Sequence, residues 1–183
     1  MFKIISKITL VLGCLVSLSA CSGEFVTWRE EVKLNDGRVI VVEQKKRDVE
    51  DMDREAWLTI NLPEFSTKPI VWHENLRPLT VNIDGGRLYV VGFPPTGVEG
   101  HQYGCPRPPY VGFVWENGTW NRIPFEGIPE RIYTTNMLTY RFPPRGTTLL
   151  TLEEKNGSKL NGDLTVPPGL KKINPKLGNF GCY

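Results

Sequence analysis

The sequence predicts an all-β domain built mainly from antiparallel hairpins, either a single sandwich or a partly open barrel, with at most one or two short helices. Two observations carry this prediction. Apolar and polar residues alternate in short runs, and turn-forming dipeptides separate the runs. In addition, 15 prolines and 18 glycines among 183 residues are typical of a turn-rich β protein. The pattern alone leaves the choice between sandwich and barrel open.

The first strands are predicted near the start of this domain. Apolar and polar residues alternate over residues 26–34, and Glu30 is the one break in that pattern. Turn-forming residues at 35–37 (Asn-Asp-Gly) then lead into the apolar run at 39–42, which predicts a hairpin. A further alternation at residues 58–62 predicts another strand, which ends at Pro63.

The middle of the chain contains two more predicted hairpins. Residues 79–83 and 88–93 flank the turn sequence Asp84-Gly85-Gly86. Asn117-Gly118 is the preferred dipeptide of a two-residue type I′ turn, because both positions need positive φ. A turn there places Trp115 directly opposite Trp120 on the neighbouring strand.

Helical patterns are few. Residues 128–138 predict one short helix after Pro129, whereas residues 48–56 are charged and have no apolar stripe. Asn156-Gly157 gives a weaker turn prediction after residues 148–155.

The N-terminus has the order of a secretory signal. Lys3 and Lys7 precede an apolar run at residues 8–18, which is shorter than the roughly 20 residues that a helix needs to span a bilayer. The following Leu18-Ser19-Ala20-Cys21 resembles the lipobox of bacterial lipoproteins. The alternative is an ordinary signal peptide followed by a disulfide cysteine.

The lipobox resemblance implies that the Cys21 thiol is acylated with lipid and that the chain is cut before it. Residues 1–20 would then be a removed signal peptide, residues 21–24 a short lipidated tether and residues 25–183 a single β-rich domain. Ser22 stands where retention in the inner membrane usually requires Asp. The family's sorting rule therefore implies an outer-membrane anchor that faces the periplasm.

Charge and cysteine content narrow the possible partners. Without residues 1–20, which carry two lysines and no acid, the chain has 20 basic and 20 acidic side chains. This balance of charge argues against nucleic acid as a partner. The predicted contact with the bilayer is the acylated Cys21 that the lipobox resemblance implies. Cys105 and Cys182 remain in an oxidising compartment and are predicted to form a disulfide, with free thiols or a metal pair as alternatives.

Motifs with a defined chemistry are incomplete, so the sequence predicts no catalytic residue, cofactor or metal. His73-Glu74 begins like a zinc-protease motif, but Arg77 stands where the second histidine is required. Asp51, Asp53 and Glu55 have the spacing that opens a calcium loop. Ala56 and Leu62 occupy its essential glycine and glutamate positions, which favours a solvated acidic loop.

The long segment at residues 94–109 is the candidate contact region. It carries His101, Tyr103 and Arg107 beside Cys105 and is rich in proline. Long loops without secondary structure are often functional, and tyrosine and arginine are enriched in binding hot spots. The alternative is a connector that prolines and a disulfide merely hold in shape.

Taken together, these patterns favour a non-catalytic binding module, anchored in the cell envelope, that recognises another envelope protein or a cell-wall component. The alternative is a cell-wall-directed hydrolase, whose two carboxylates the sequence does not locate.

Overall fold

The structure is a computed structural model that describes residues 24–49, 52–140, 142–178 and 181–182. The lipobox and Cys21 lie outside the described residues, as do Glu50 and Asp51. None of the helices in the described part of the chain is long and apolar enough to cross a membrane.

The described residues form two β-sheets, named here sheet A and sheet B. Sheet A consists of β1 (Glu24–Lys33), β2 (Val39–Val49), β3 (Met52–Ile60), β4 (Ile70–Glu74) and β9 (Leu149–Leu150), in the order β4-β3-β2-β1-β9. Sheet B consists of β5 (Arg77–Asp84), β6 (Arg87–Phe93), β7 (Val111–Glu116) and β8 (Thr119–Ile123), in that order. All neighbouring strands are antiparallel except β1 and β9. This confirms the predicted all-β class, and the described sheets do not close into a barrel.

The two sheets pack face to face around a shared core. Trp72 of sheet A meets Phe113 of sheet B edge to face, with ring centroids 5.6 Å apart. Inward residues of both sheets, such as Val42, Leu58 and Val90, are fully buried in the same cluster. Burial of these apolar surfaces is the main force that holds the sheets together.

A second apolar cluster covers the opposite face of sheet B. Residues from the chain after β8, including Ile128, Ile132 and Leu170, pack against Tyr89 and Val91 of β6. The cover approaches the sheet so closely that a Cβ atom on Gly112 of β7 would lie 2.6 Å from Cγ1 of Ile128.

The predicted turns at residues 84–86 and 117–118 are confirmed. Gly85, Gly86, Asn117 and Gly118 all have positive φ. Trp115 pairs with Trp120 across the second turn, and their rings meet edge to face at 5.3 Å.

Two predictions for charged or turn-forming segments are wrong. Residues 52–56 are not an acidic loop: β3 begins at Met52, and an extended strand cannot curl its carboxylates around a calcium ion. Asn156-Gly157 does not turn a hairpin, because Thr151 and Glu154 form a capping box that starts a helix, α2 (Leu152–Asn156).

Three short α-helices occur in the described residues, one more than the sequence suggests: α1 (Gly97–Gln102), α2 and α3 (Pro168–Lys171). The short helix predicted within residues 128–138 is a single 3-10 turn, Glu130–Ile132. The sequence pattern did not predict β4, which contains His73 beside Trp72.

Candidate functional site

The segment between β6 and β7 contains a helix and is therefore not a structureless loop. Thr96 caps α1 by accepting a hydrogen bond from the Val98 amide at 3.2 Å. Glu99 of α1 is buried, forms an ion pair with Arg54 of β3 at 2.8 Å and accepts a hydrogen bond from the Thr96 hydroxyl. Burial raises the pKa of Glu99, but the hydrogen bonds from Thr96 and Arg54 outweigh it, so the net pKa lies below its usual value.

Tyr103 fastens the end of α1 to sheet A. Its hydroxyl donates to Glu74 Oε2 at 2.7 Å and accepts from the Asn75 amide at 3.1 Å. Burial and the Glu74 carboxylate raise the pKa of this phenol. The guanidinium of Arg122 lies 5.5 Å from the ring and donates to the Tyr103 carbonyl at 2.6 Å. The hydroxyl and ring of Tyr103 are thus occupied by contacts within the chain. Less of this side chain is available to a binding partner than the sequence suggested.

Cys105 and Cys182 lie together as a disulfide-capable pair, with their Cα atoms 5.8 Å apart. Gly181, next to Cys182, packs directly against Gly97 at the start of α1. The two backbones are so close that a Cβ atom on Gly97 would lie 2.1 Å from the Gly181 carbonyl oxygen. The exposed His101 ring places Nδ1 3.3 Å from Cys105 Sγ. The ligand atoms of His101, Cys105 and Cys182 all lie within 4.8 Å of one another, so the dithiol form has the donors that a soft metal ion prefers.

Beyond Cys105, the segment forms one wall of an open cleft of about 410 Å³. Its polar lining residues are Arg107, Arg122 and Glu126, and its apolar wall comes from prolines, Tyr110, Val111, Ile123 and Phe125. The cleft therefore combines two guanidinium groups, one carboxylate and an apolar surface.

The two arginines of the cleft differ in what they contact. Arg122 holds the Tyr103 carbonyl, as described above. Arg107 is exposed, follows Cys105 by two residues and has no hydrogen-bond or ion-pair partner among the described residues. The planar Arg107 donor fork is thus available to a carboxylate or another anion.

Hydrogen bonds hold the apolar wall of the cleft in place. Tyr110 is buried, and its hydroxyl donates to the Gly169 carbonyl at 3.0 Å and accepts from the Asn174 amide at 3.1 Å. Its ring packs near that of Phe125, with centroids 6.1 Å apart. A ligand would therefore meet a surface that is already ordered, which lowers the entropy lost on binding.

Sequence reasoning located Arg107 but not Arg122, Phe125 or Glu126, which reach the cleft from the β7–β8 hairpin and the turn after it. The Asn117-Gly118 turn predicted that hairpin, but no sequence pattern indicated that its far end lies beside residues 106–108.

A second missed feature is a buried charged network around Glu30. Glu30 and Lys155 are both buried, and their Oε2 and Nζ atoms lie 3.0 Å apart. Glu30 also accepts from the Leu138 amide at 2.9 Å and from the Gln44 side chain. Burial lowers the pKa of Lys155 and the Glu30 carboxylate opposes that effect, with a net decrease. The visible sign of this network in the sequence was the break at Glu30, whose partner lies 125 residues away in α2.

The other candidate sites in the described part of the chain lack converging catalytic groups. His73 stacks on Trp57 at 4.3 Å and bonds Glu55 at 2.7 Å, as a residue of the sheet surface does. Two further clefts measure about 550 and 170 Å³; Glu154 is the one acid in the first, and none lines the second. None of these three clefts contains the pair of carboxylates that glycoside hydrolysis requires.

No protein-family model, curated protein or solved structure matches this chain. Its function must therefore be inferred from its own residues.

Proposed function

We propose that this chain is a lipid-anchored protein of the cell envelope that acts as a non-catalytic binding module. Its contact site is the cleft between residues 106–108 and the β7–β8 hairpin. The observation that carries this proposal is Arg107, an exposed guanidinium without a described partner, beside Arg122 and a fixed apolar wall. Arginine at the edge of a rigid apolar surface is a frequent anchor of binding sites.

The partner is an envelope protein or a cell-wall component that presents a carboxylate or similar anion next to an apolar group. The two arginines against one glutamate favour an anion, and the apolar wall favours a group that can be desolvated there. Cys105, two residues before Arg107, is bonded to Cys182 in the oxidising envelope, which holds this wall of the cleft in place before the partner arrives.

The anchor is tested separately from the cleft. Cys21→Ala should abolish incorporation of labelled fatty acid and release the protein from the membrane fraction. Persistent lipid labelling or continued membrane fractionation of this variant would contradict the lipoprotein assignment.

The cleft is tested with purified cell-wall sacculi and with detergent-solubilised envelope whose captured proteins are identified by mass spectrometry. Arg107→Ala should weaken capture by about tenfold, as expected for one anchor residue that contributes ~1.4 kcal/mol. Arg145→Ala is the matched control, because Arg145 is an exposed arginine in the separate turn at residues 142–146. An Arg145→Ala loss without an Arg107→Ala loss would move the contact to that turn.

The hydrolase alternative predicts a chemical product. Incubating the full-length protein with sacculi and analysing soluble fragments by mass spectrometry would detect it. Fragments that depend on the protein would overturn the non-catalytic assignment.

A further inference from the structure

The outer face of sheet A carries several exposed apolar side chains among its charged residues. Among the described residues, five of the eight exposed large hydrophobic side chains lie on this face: Phe25, Val39, Val41, Val71 and Leu149. The corresponding face of sheet B is covered by the chain after β8. Grouping of exposed apolar side chains on one face is a feature of contact surfaces.

The aromatic part of the face lies at one end of the sheet. Phe25, at the start of β1, is 51% exposed and meets the Trp57 ring of β3 edge to face at 5.7 Å. Lys45 of β2 lies over both rings, with Nζ 4.4 Å from the Phe25 centroid and 4.9 Å from the Trp57 centroid. His73 of β4 stacks on the far side of Trp57. These four side chains, one from each strand, are called here the aromatic row.

The position of Cys21 brings the aromatic row to the bilayer. Only Ser22 and Gly23 separate Cys21 from Glu24, where β1 begins. Three Cα–Cα steps span at most about 10–11 Å, so a lipidated Cys21 holds the start of β1 within that distance of the headgroups. The inward residues of the same end of β1, such as Trp28, are already buried. The apolar surface that β1 presents beside the anchor is therefore the outer face, at Phe25.

We propose that the aromatic row docks against the bilayer surface and thereby sets the orientation of the domain relative to the membrane. This inference rests on the proposed lipidation of Cys21. Tryptophan, phenylalanine and snorkelling lysine side chains are the groups that favour the membrane–water interface. The lipid chain supplies the attachment, and the aromatic row selects which side of the domain faces the membrane.

The contact is with the interface itself and does not depend on anionic headgroups. Glu43 and Glu55 lie on the same face of sheet A as Lys45 and Arg47, and Glu55 forms an ion pair with Arg47 at 3.9 Å. These acids offset Lys45 and Arg47, so the attraction comes from the rings. The experiments therefore use vesicles of zwitterionic phosphatidylethanolamine and phosphatidylcholine.

The first experiment measures whether Trp57 reaches the lipid. The lipidated full-length mature protein is reconstituted into these vesicles with brominated acyl chains, which quench tryptophan at close range. Part of the fluorescence should be quenched, and the quenched part should disappear in Trp57→Phe, since Trp28 and Trp72 are buried and the other two tryptophans belong to sheet B. Absence of quenching in the unaltered lipidated protein would overturn the proposal.

The second experiment compares two lysines of the same face. Lys45 lies in the aromatic row, whereas Lys33 lies at the opposite end of β1 and is exposed. A membrane-impermeant amine reagent should label Lys45 less, relative to Lys33, on vesicles than in the unlipidated Cys21→Ala protein. An unchanged ratio would overturn the docking.

Matched variants separate docking from anchoring. Phe25→Glu should abolish the Trp57 quenching while lipidation and vesicle flotation persist, and Val41→Glu, at the far end of the face, should leave the quenching intact. Equal loss in both variants would contradict a role for the aromatic row, as would face-to-face crosslinking of two copies through Lys45.

If Cys21 carries no lipid, both the proposed anchor and the docking fail. If Cys21 is lipidated and Trp57 is not quenched, the docking alone fails.

Discussion

The outer faces of the two sheets differ in how far their apolar side chains are exposed to solvent. On the outer face of sheet B, Tyr89 and Val91 are 4% and 0% exposed because the chain after β8 covers them. The outer face of sheet A leaves Phe25 and Val71 about half exposed. The first face belongs to the core and contributes to stability, whereas the second is available for contact and contributes little.

The cover on sheet B also builds the candidate cleft. Tyr110, which belongs to the apolar wall of the cleft, forms hydrogen bonds with Gly169 and Asn174 of the covering chain. The shape of the proposed binding cleft and the stability of the fold are therefore linked on this side of the molecule. Changes to the cover should affect both, and changes to the bare face of sheet A should affect stability little.

The largest expected effect concerns the link between Cys105, which follows α1, and Cys182, which follows the covering chain. Cys105 and Cys182 are 77 residues apart in sequence. A bond across that span stabilises the fold by about 4–5 kcal/mol through the entropy of the unfolded chain. Reduction should lower the melting temperature by several degrees, measured by calorimetry with and without a phosphine reductant.

The Cys105→Ser/Cys182→Ser double variant is the control for this prediction, because the reductant should not change its melting temperature. Two freely alkylatable thiols in protein prepared under oxidising conditions would show that the fold forms without the bond.

The next effect compares the two faces directly. Ile132→Ala removes a fully buried side chain from the cover and should lower the free energy of unfolding by about 2–5 kcal/mol. Val41→Ala, on the bare face, should change it by less than about 0.5 kcal/mol. Urea denaturation measures both. Similar losses in the two variants would mean that the outer face of sheet A is also part of the packed core.

A smaller effect is expected where the cover of sheet B does not reach. The β7–β8 hairpin ends in an exposed turn in which Gly118 has φ of 77°. Gly118→Val should destabilise the protein by about 1–3 kcal/mol, because a β-branched residue is strained at positive φ. Gly118→Asn is the matched control, since asparagine tolerates this region. Equal stability of the two variants would show that the turn can change its shape without loss.

The smallest effect is a pH dependence at the joint between α1 and sheet A. The net pKa of Glu99 in the folded protein lies below its usual value of 4.5, so its charged form is favoured by folding. The stability from this carboxylate is present above the unfolded pKa and is lost as pH falls through the lower folded pKa.

Glu99→Gln should therefore flatten the decline in unfolding free energy below pH about 4.5, as measured by denaturation at several pH values. Arg54→Gln removes one of the hydrogen bonds that lower this pKa and should flatten the same decline. A curve with unchanged slope in both variants would place the acid sensitivity elsewhere in the protein.

The sequence predicted local features well where neighbouring residues determine them. Positive φ at Asn117 and Gly118 is a property of those two residues, and it determined the pairing of Trp115 with Trp120. The continuous apolar run at residues 88–93 differs from the alternation at residues 26–34, and these strands are buried on two faces and on one face respectively. The capping box of Thr151 and Glu154 is also a local feature of the sequence, and it starts a helix where Asn156-Gly157 had suggested a turn.

The tertiary structure alone decided which strands share a sheet, what covers each face and which distant side chains meet. Glu30 is tolerated in the core only because folding brings Lys155 within 3.0 Å, and no local pattern encodes that encounter. Likewise, Arg107 and Arg122 come together because the chain between them folds back as a hairpin. The sequence by itself determined the alternation of faces and the positions of turns, since these depend on backbone conformation over a few residues. Long-range burial of apolar surface decides how the two sheets pack, which segment covers sheet B and where the cleft forms. Such burial is a property of the whole chain.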